Sequence, residues 1–178
     1  MRSVAALVLV AAALPLVAPD AGLASAAGES FVRRHRCAVV ARLDAIHRRG
    51  PVDQSRDRFI VVSLHDQPQH YVQCMFGARD SRMFCEAASG AYGAAGESGL
   101  RLGASAREAL RALRFVQDNP RENYARTIDL GDPPDLGLAA DLMLSALHEA
   151  YGARPGSELQ IEAPKGGNPE TECGTPVS

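Results

Sequence analysis

The chain has 178 residues, enough for one domain with its own apolar core, and 46% of them are hydrophobic. Nineteen Lys+Arg stand against 21 Asp+Glu, which excludes the bulk electrostatic case for nucleic acid. Four cysteines in a chain of this length are two staples on a fold that already has a core, not a scaffold that replaces one.

The N-terminus reads as an export signal. Arg2 supplies a short positive start, Val4 to Val17 is an apolar core broken only by Pro15, and Ala24-Ser25-Ala26 offers small residues at −3 and −1. Cleavage is expected after Ala26 or Ala27, so residues 1–27 are the signal peptide, 28–162 a single domain and 163–178 a flexible tail. The apolar run is shorter than the ~20 residues a membrane-spanning helix needs, and no later segment approaches that length. A periplasmic or secreted protein is expected, with its cysteines in an oxidising compartment.

Ser30 to Arg49 is predicted to be the first helix, capped by Ser30, with Phe31, Ala38, Leu43 and Ile46 inward and Gly50-Pro51 as its stop. Three strand runs follow: 58–65 (RFIVVSLH), 70–76 (HYVQCMF) and 82–88 (RMFCEAA). The turns Asp66-Gln67-Pro68-Gln69 and Gly77 to Ser81 make them an antiparallel meander. Residues 89–103 read as a loop with a short strand near Gly99 to Leu102. Ser105 and Glu108 have capping-box spacing and open a short helix that turns Ala109, Leu110, Leu113 and Phe115 inward. After Asn119-Pro120 comes a strand over Asn123 to Leu130, in which Tyr124, Arg126, Ile128 and Leu130 alternate against Ala125, Thr127 and Asp129. Asp135 caps a closing helix that runs to Tyr151 and ends at Gly152, with Leu136, Ala139, Ala140, Met143, Leu147 and Ala150 as its stripe. A last strand is expected at Glu158 to Glu162. The fold class is α+β: an antiparallel sheet, the meander plus one or two further strands, packed with an N-terminal and a C-terminal helix.

Register selects one cross-link. With Ala78 to Ser81 at the tip of a four-residue turn, Phe76 opposes Met83 and Cys74 opposes Cys85. Opposed residues in a non-hydrogen-bonded pair sit ~4.5 Å apart at Cα, within disulfide reach. That leaves Cys37 with Cys173 among the three connectivities four cysteines allow, unless Cys173 stays free. There is no CxxC and no Cys/His cluster at ligand spacing, so no metal site is expected, and no cofactor.

The motifs that carry chemistry are missing. The chain has no GxSxG elbow, HExxH, P-loop or GxGxxG. Ser63, His65 and Asp66 do not make a triad, because on a strand Ser63 and His65 share one face and Asp66 takes the other. His65 and His70 would oppose each other across a four-residue turn, but only Asp66 is near enough to add a ligand. Glu86 and Glu149 are carboxylates without a visible partner. The arginines of the first helix (33, 34, 36, 42, 48 and 49) read as a solvated face, with an anionic surface as the alternative. No catalytic residue is assigned, and no enzyme is expected.

The element order, with the words FIVVSLH, HYVQCMF, FCEAAS (84–89), LRALRF (110–115), NYAR (123–126) and AADLMLSALHEAYGA (139–153), resembles the small α+β fold of type III secretion chaperones and their YbjN-like and TY-Chap relatives. The resemblance covers roughly Ser30 to Ala153 and implies that fold, a tendency to dimerise and the binding of extended peptide, without a catalytic signature. Arg114 stands where those relatives favour glycine, and they are typically cytoplasmic, without signal peptide or paired cysteines. Three functions follow, in order of preference. The first is an exported binding module that holds a protein or peptide on an open sheet face or edge. The second is a periplasmic inhibitor or immunity-type protein acting through the DQPQ or GARDSR hairpin tips. The third is a small hydrolase, the weakest because no acid and base are paired.

Overall fold

Three runs rich in β-branched and aromatic residues, separated by two short turns, pair as successive antiparallel strands in the computed structural model, which describes residues 21–50, 57–77, 79–92, 99–164 and 173. The apolar core of the expected signal peptide, the 51–56 link and most of the tail lie outside the described residues. The elements are α1 (Ala21–His47), β1 (Phe59–Leu64), β2 (Gln67–Phe76), β3 (Arg82–Ala87), α2 (Ala104–Ala112), β4 (Tyr124–Asp129), α3 (Leu136–Glu149) and β5 (Leu159–Glu162). They build one five-stranded sheet in the order β4-β3-β2-β1-β5, antiparallel throughout, so the meander gains β4 beyond β3 and β5 beyond β1. The α+β class and the expected order of elements hold.

One face of the sheet carries the core. Ile60, Val62 and Leu64 of β1, Val72, Cys74 and Phe76 of β2, Met83, Cys85 and Ala87 of β3, and Tyr124 and Ile128 of β4 are all buried. Against them lie Phe31, Val39, Leu43 and Ile46 of α1 and Ala139, Ala140, Met143, Leu144 and Leu147 of α3. Each large side chain buried there contributes about 1.5–3 kcal/mol of transfer free energy before entropy is counted. In the stripe of α1, Val39 replaces the expected Ala38, lying two i+4 steps after Phe31 and one before Leu43 on the same helix face.

Four local expectations are corrected. α1 includes Ala21 to Gly28, so Ser30 is helical and cannot cap; the alanine-rich stretch before it has high helix propensity. The helix closes at His47, where the amides of Arg49 and Gly50 reach back three residues and Gly50 takes φ +92°. The turn after β1 is the pair His65-Asp66 rather than DQPQ: Leu64 already faces Gln67, and a bulge in β2 between the Ser63 and Leu64 pairings absorbs the extra residues around Pro68. Gly103, not Ser105, is the N-cap of α2, and no side chain caps it, because Ser105 falls inside the first turn. Residues 99–102 form no strand. The Asp135 cap of α3 is made as expected, its carboxylate accepting from the Gly137 amide.

Arg58 fastens the β2–β3 hairpin to the helices. It is 2% exposed, ion-paired to Asp80 at the hairpin tip, hydrogen-bonded to the His47 carbonyl at 3.3 Å and centred 4.8 Å over the Phe76 ring. Arg114 ends α2 at φ +62°, a left-handed position that favours glycine because it has no Cβ to clash.

Candidate functional site

The helices cover one face only. The opposite face of the sheet is read row by row from the strand register: Phe59, Met75, Phe84 and Thr127 form one cross-strand row, and Glu162, Val61, Gln73, Glu86 and Ala125 form the next. None of the residues in these two rows is buried. Met75 is 51% exposed and Phe84 42%, side by side in directly opposed positions. Val116, 59% exposed, extends the second row, because its backbone makes an isolated bridge to Ala125 with N–H···O contacts of 2.9 and 2.7 Å. Large apolar side chains held open to water on a rigid surface mark an interaction site more often than chance exposure does.

Polar groups frame this apolar ladder. At one end Asn123 donates to the Tyr71 hydroxyl at 2.9 Å and its carbonyl oxygen accepts from the Ser89 amide at 3.1 Å, while the Ser89 hydroxyl donates to the Glu122 carbonyl at 2.8 Å. At the other end Arg82 of β3 opposes Asp129 of β4. Within the ladder, Gln73 donates to the Glu86 carboxylate at 2.5 Å. Behind it, on the helix side, Arg126 donates to the Leu113 carbonyl at 2.6 Å, capping the end of α2. Burial and the neighbouring Arg114 pull the Arg126 guanidinium below its ordinary pKa.

The residues singled out from sequence fall as follows. Cys74 and Cys85 are opposed in register, with Sγ atoms 2.08 Å apart, both buried on the helix side. Cys37 and Cys173 lie at 2.12 Å, tying the tail to α1. His65 and His70 do not face each other: His65 is in the two-residue turn, and His70 packs its ring 5.5 Å from Tyr151. Burial lowers the pKa of His70, with Asp66 opposing, and also that of His35, assisted by Arg34. Among the described residues no three His, Cys, Asp or Glu converge as metal ligands. Glu149 lines a groove of about 540 Å³ between α1 and α3 with Arg33, Ser145 and His148. Arg36 and Asp141 line the same groove and close an ion pair at 2.7 Å, which raises the Arg36 pKa. In the turn that follows α1, Arg48 pairs with Asp44 and Arg49 with the Pro164 carbonyl. The residues of the open ladder are the part of the site that the sequence motifs do not mark. Its signal was present: CMF (74–76) and MFC (83–85) are continuous apolar runs where a strand with one wet face should alternate.

This architecture, a sheet with helices on one face and an apolar ladder on the other, is that of a binding module. The sequence matches the family described as T3SS (YopN, CesT) and YbjN peptide-binding chaperone 3 (TY-Chap3) over residues 33–165. The chain belongs to that family, and membership implies a chaperone-like, peptide-binding role. No curated protein and no solved structure matches it. Among the described residues no helix is long and apolar enough to cross a membrane.

Proposed function

We propose that this protein is an exported, non-enzymatic chaperone-like domain that holds an extended segment of another protein on the uncovered face of its sheet. The observation that carries the reading is the apolar Phe59–Met75–Phe84 row with Val116 beside it, of which Phe59 is half-buried and Met75, Phe84 and Val116 are exposed. A strand laid on this face buries apolar side chains without any rearrangement of the core. The two cysteine pairs support a periplasmic or secreted setting, since cytosolic thiols are kept reduced. Self-association belongs to the same reading. Val116 bonds to Ala125 from outside β4, so Thr127 and Asp129, two and four residues on, turn their backbone groups to the same outer edge.

Fluorescence anisotropy with labelled ten-residue peptides of alternating apolar and polar residues tests the reading. Phe84→Ser and Met75→Ser should each weaken binding at least tenfold, because the few anchors at the centre of a patch carry most of the affinity. Arg79→Ala at the hairpin tip should leave it within twofold. The reverse pattern would favour the inhibitor reading, in which the tips make the contact.

A further inference from the structure

The open face is apolar at its centre and acidic in its charges. Glu86 of β3, Asp129 of β4 and Glu162 of β5 lie on the open-face rows, against Arg82 as the one basic strand residue there. Glu86 is the carboxylate set inside the ladder. Phe84 precedes it by two residues on the same strand, Gln73 flanks it on β2, and on β4 it faces Ala125, whose methyl group leaves its side open. The Gln73 amide satisfies Oε2, and no described side chain donates to Oε1.

A segment laid over Phe84 and Met75 strips water from Glu86 at the same time. A carboxylate that loses part of its water without gaining a partner for the freed oxygen is disfavoured, so the occupant must bring a donor, and a cationic one offsets the loss best. We infer that the segment bound on this face carries a lysine or arginine two positions from an apolar residue, and that Glu86 selects it. The spacing follows from the strand: Phe84 and Glu86 are two residues apart, about 7 Å, which is also the repeat of same-side residues in an extended ligand. Selection works by exclusion as well as attraction, since an apolar residue leaves Oε1 of Glu86 without a donor and an acidic one repels it.

The inference rests on the open-face reading proposed above, and one experiment separates their failures. Three labelled ten-residue peptides in an alternating Val/Thr frame, differing only in a central Lys, norleucine or Glu, are titrated by anisotropy against the full-length oxidised protein and its variants. The Lys peptide should bind about three- to tenfold tighter than the norleucine peptide, the range of a partly desolvated ion pair, and the Glu peptide weakest of the three. Glu86→Gln should erase the Lys preference, chiefly by tightening the norleucine peptide, since no charge is then stripped of its water. Glu86→Lys should reverse the order of the Lys and Glu peptides, and circular dichroism of both variants should match wild type. Equal binding of all three peptides, still lost in Phe84→Ser, would overturn the charge selection and leave the face as the site. No binding of any peptide, or binding indifferent to Phe84→Ser, would overturn both.

Discussion

The two faces of the sheet are built from the same five strands, yet one is covered by helices and the other carries exposed apolar residues. On the helix side Phe76 is 2% exposed and Met83 0%; one residue away on each strand, Met75 and Phe84 are 51% and 42% exposed. Strand alternation separates them, and the helices cover only one set. The lesson is that an apolar residue in a strand is a statement about packing only when its face is known. Where both alternating sets are apolar, the uncovered set is available for recognition.

The sharpest way to break this comparison is to truncate one aromatic residue on each side. Phe31→Ala, beneath the helix layer, should cost about 3–5 kcal/mol of unfolding free energy, from lost transfer energy and the cavity left behind. Phe84→Ala should cost less than about 1 kcal/mol, since its ring is already half in water. Urea denaturation followed by circular dichroism measures both, and equal losses would mean that the open face is packed in solution.

Cross-linking sharpens the same contrast. In exported protein whose intact mass places the N-terminus at Ala27 or Gly28, non-reducing peptide mapping should recover Cys74 with Cys85 and Cys37 with Cys173. Replacing Cys74 and Cys85 together by alanine should lower stability by about 2–4 kcal/mol without altering peptide affinity, because both sulfurs lie on the covered side. A Cys37–Cys74 fragment would mean that α1 and the hairpin pack differently.

The smallest effect comes from pH and again concerns the helix side. His35 and His70 have folded pKa values below their ordinary 6.5, chiefly through burial. As pH falls through about 6.5 the unfolded chain therefore binds protons before the folded one does, and stability declines. The decline continues until the folded histidines protonate as well, so the urea midpoint should hold above about pH 7 and fall toward pH 5.5. His35→Gln should flatten that slope; a midpoint that rises on acidification would contradict the assignment.

Much of this architecture was legible in residue order. A turn of fixed length ties register to sequence, so the facing of Cys74 and Cys85 and of Phe76 and Met83 follows from counting across residues 77–81. The Asp135 cap, the Gly152 stop at φ +73° and the burial of Tyr124, Ile128 and Leu130 likewise depend on neighbours a few residues away. The turn after β1 departs from the expected DQPQ because a β-bulge around Pro68 takes up residues that a regular hairpin would place in the loop, and local composition does not distinguish the two. Arg114 shows the converse: its left-handed conformation is imposed by the close of α2 on a residue that would not choose it, with the Phe115 amide bonding back to Leu110.

By itself the sequence determined the α+β class, the meander and its β2–β3 register, which rest on periodicity and turn length, and its likeness to known relatives gave the family. Only the tertiary structure decided which face α1 and α3 would cover, that Val116 would lengthen β4's side of the open ladder, and that Glu86 would stand inside an apolar surface. Those outcomes depend on contacts between segments far apart in the chain, as when Val39 of α1 and Met143 of α3 are buried over the strands, and a pattern that is apolar on both faces leaves that choice to the packing of the whole.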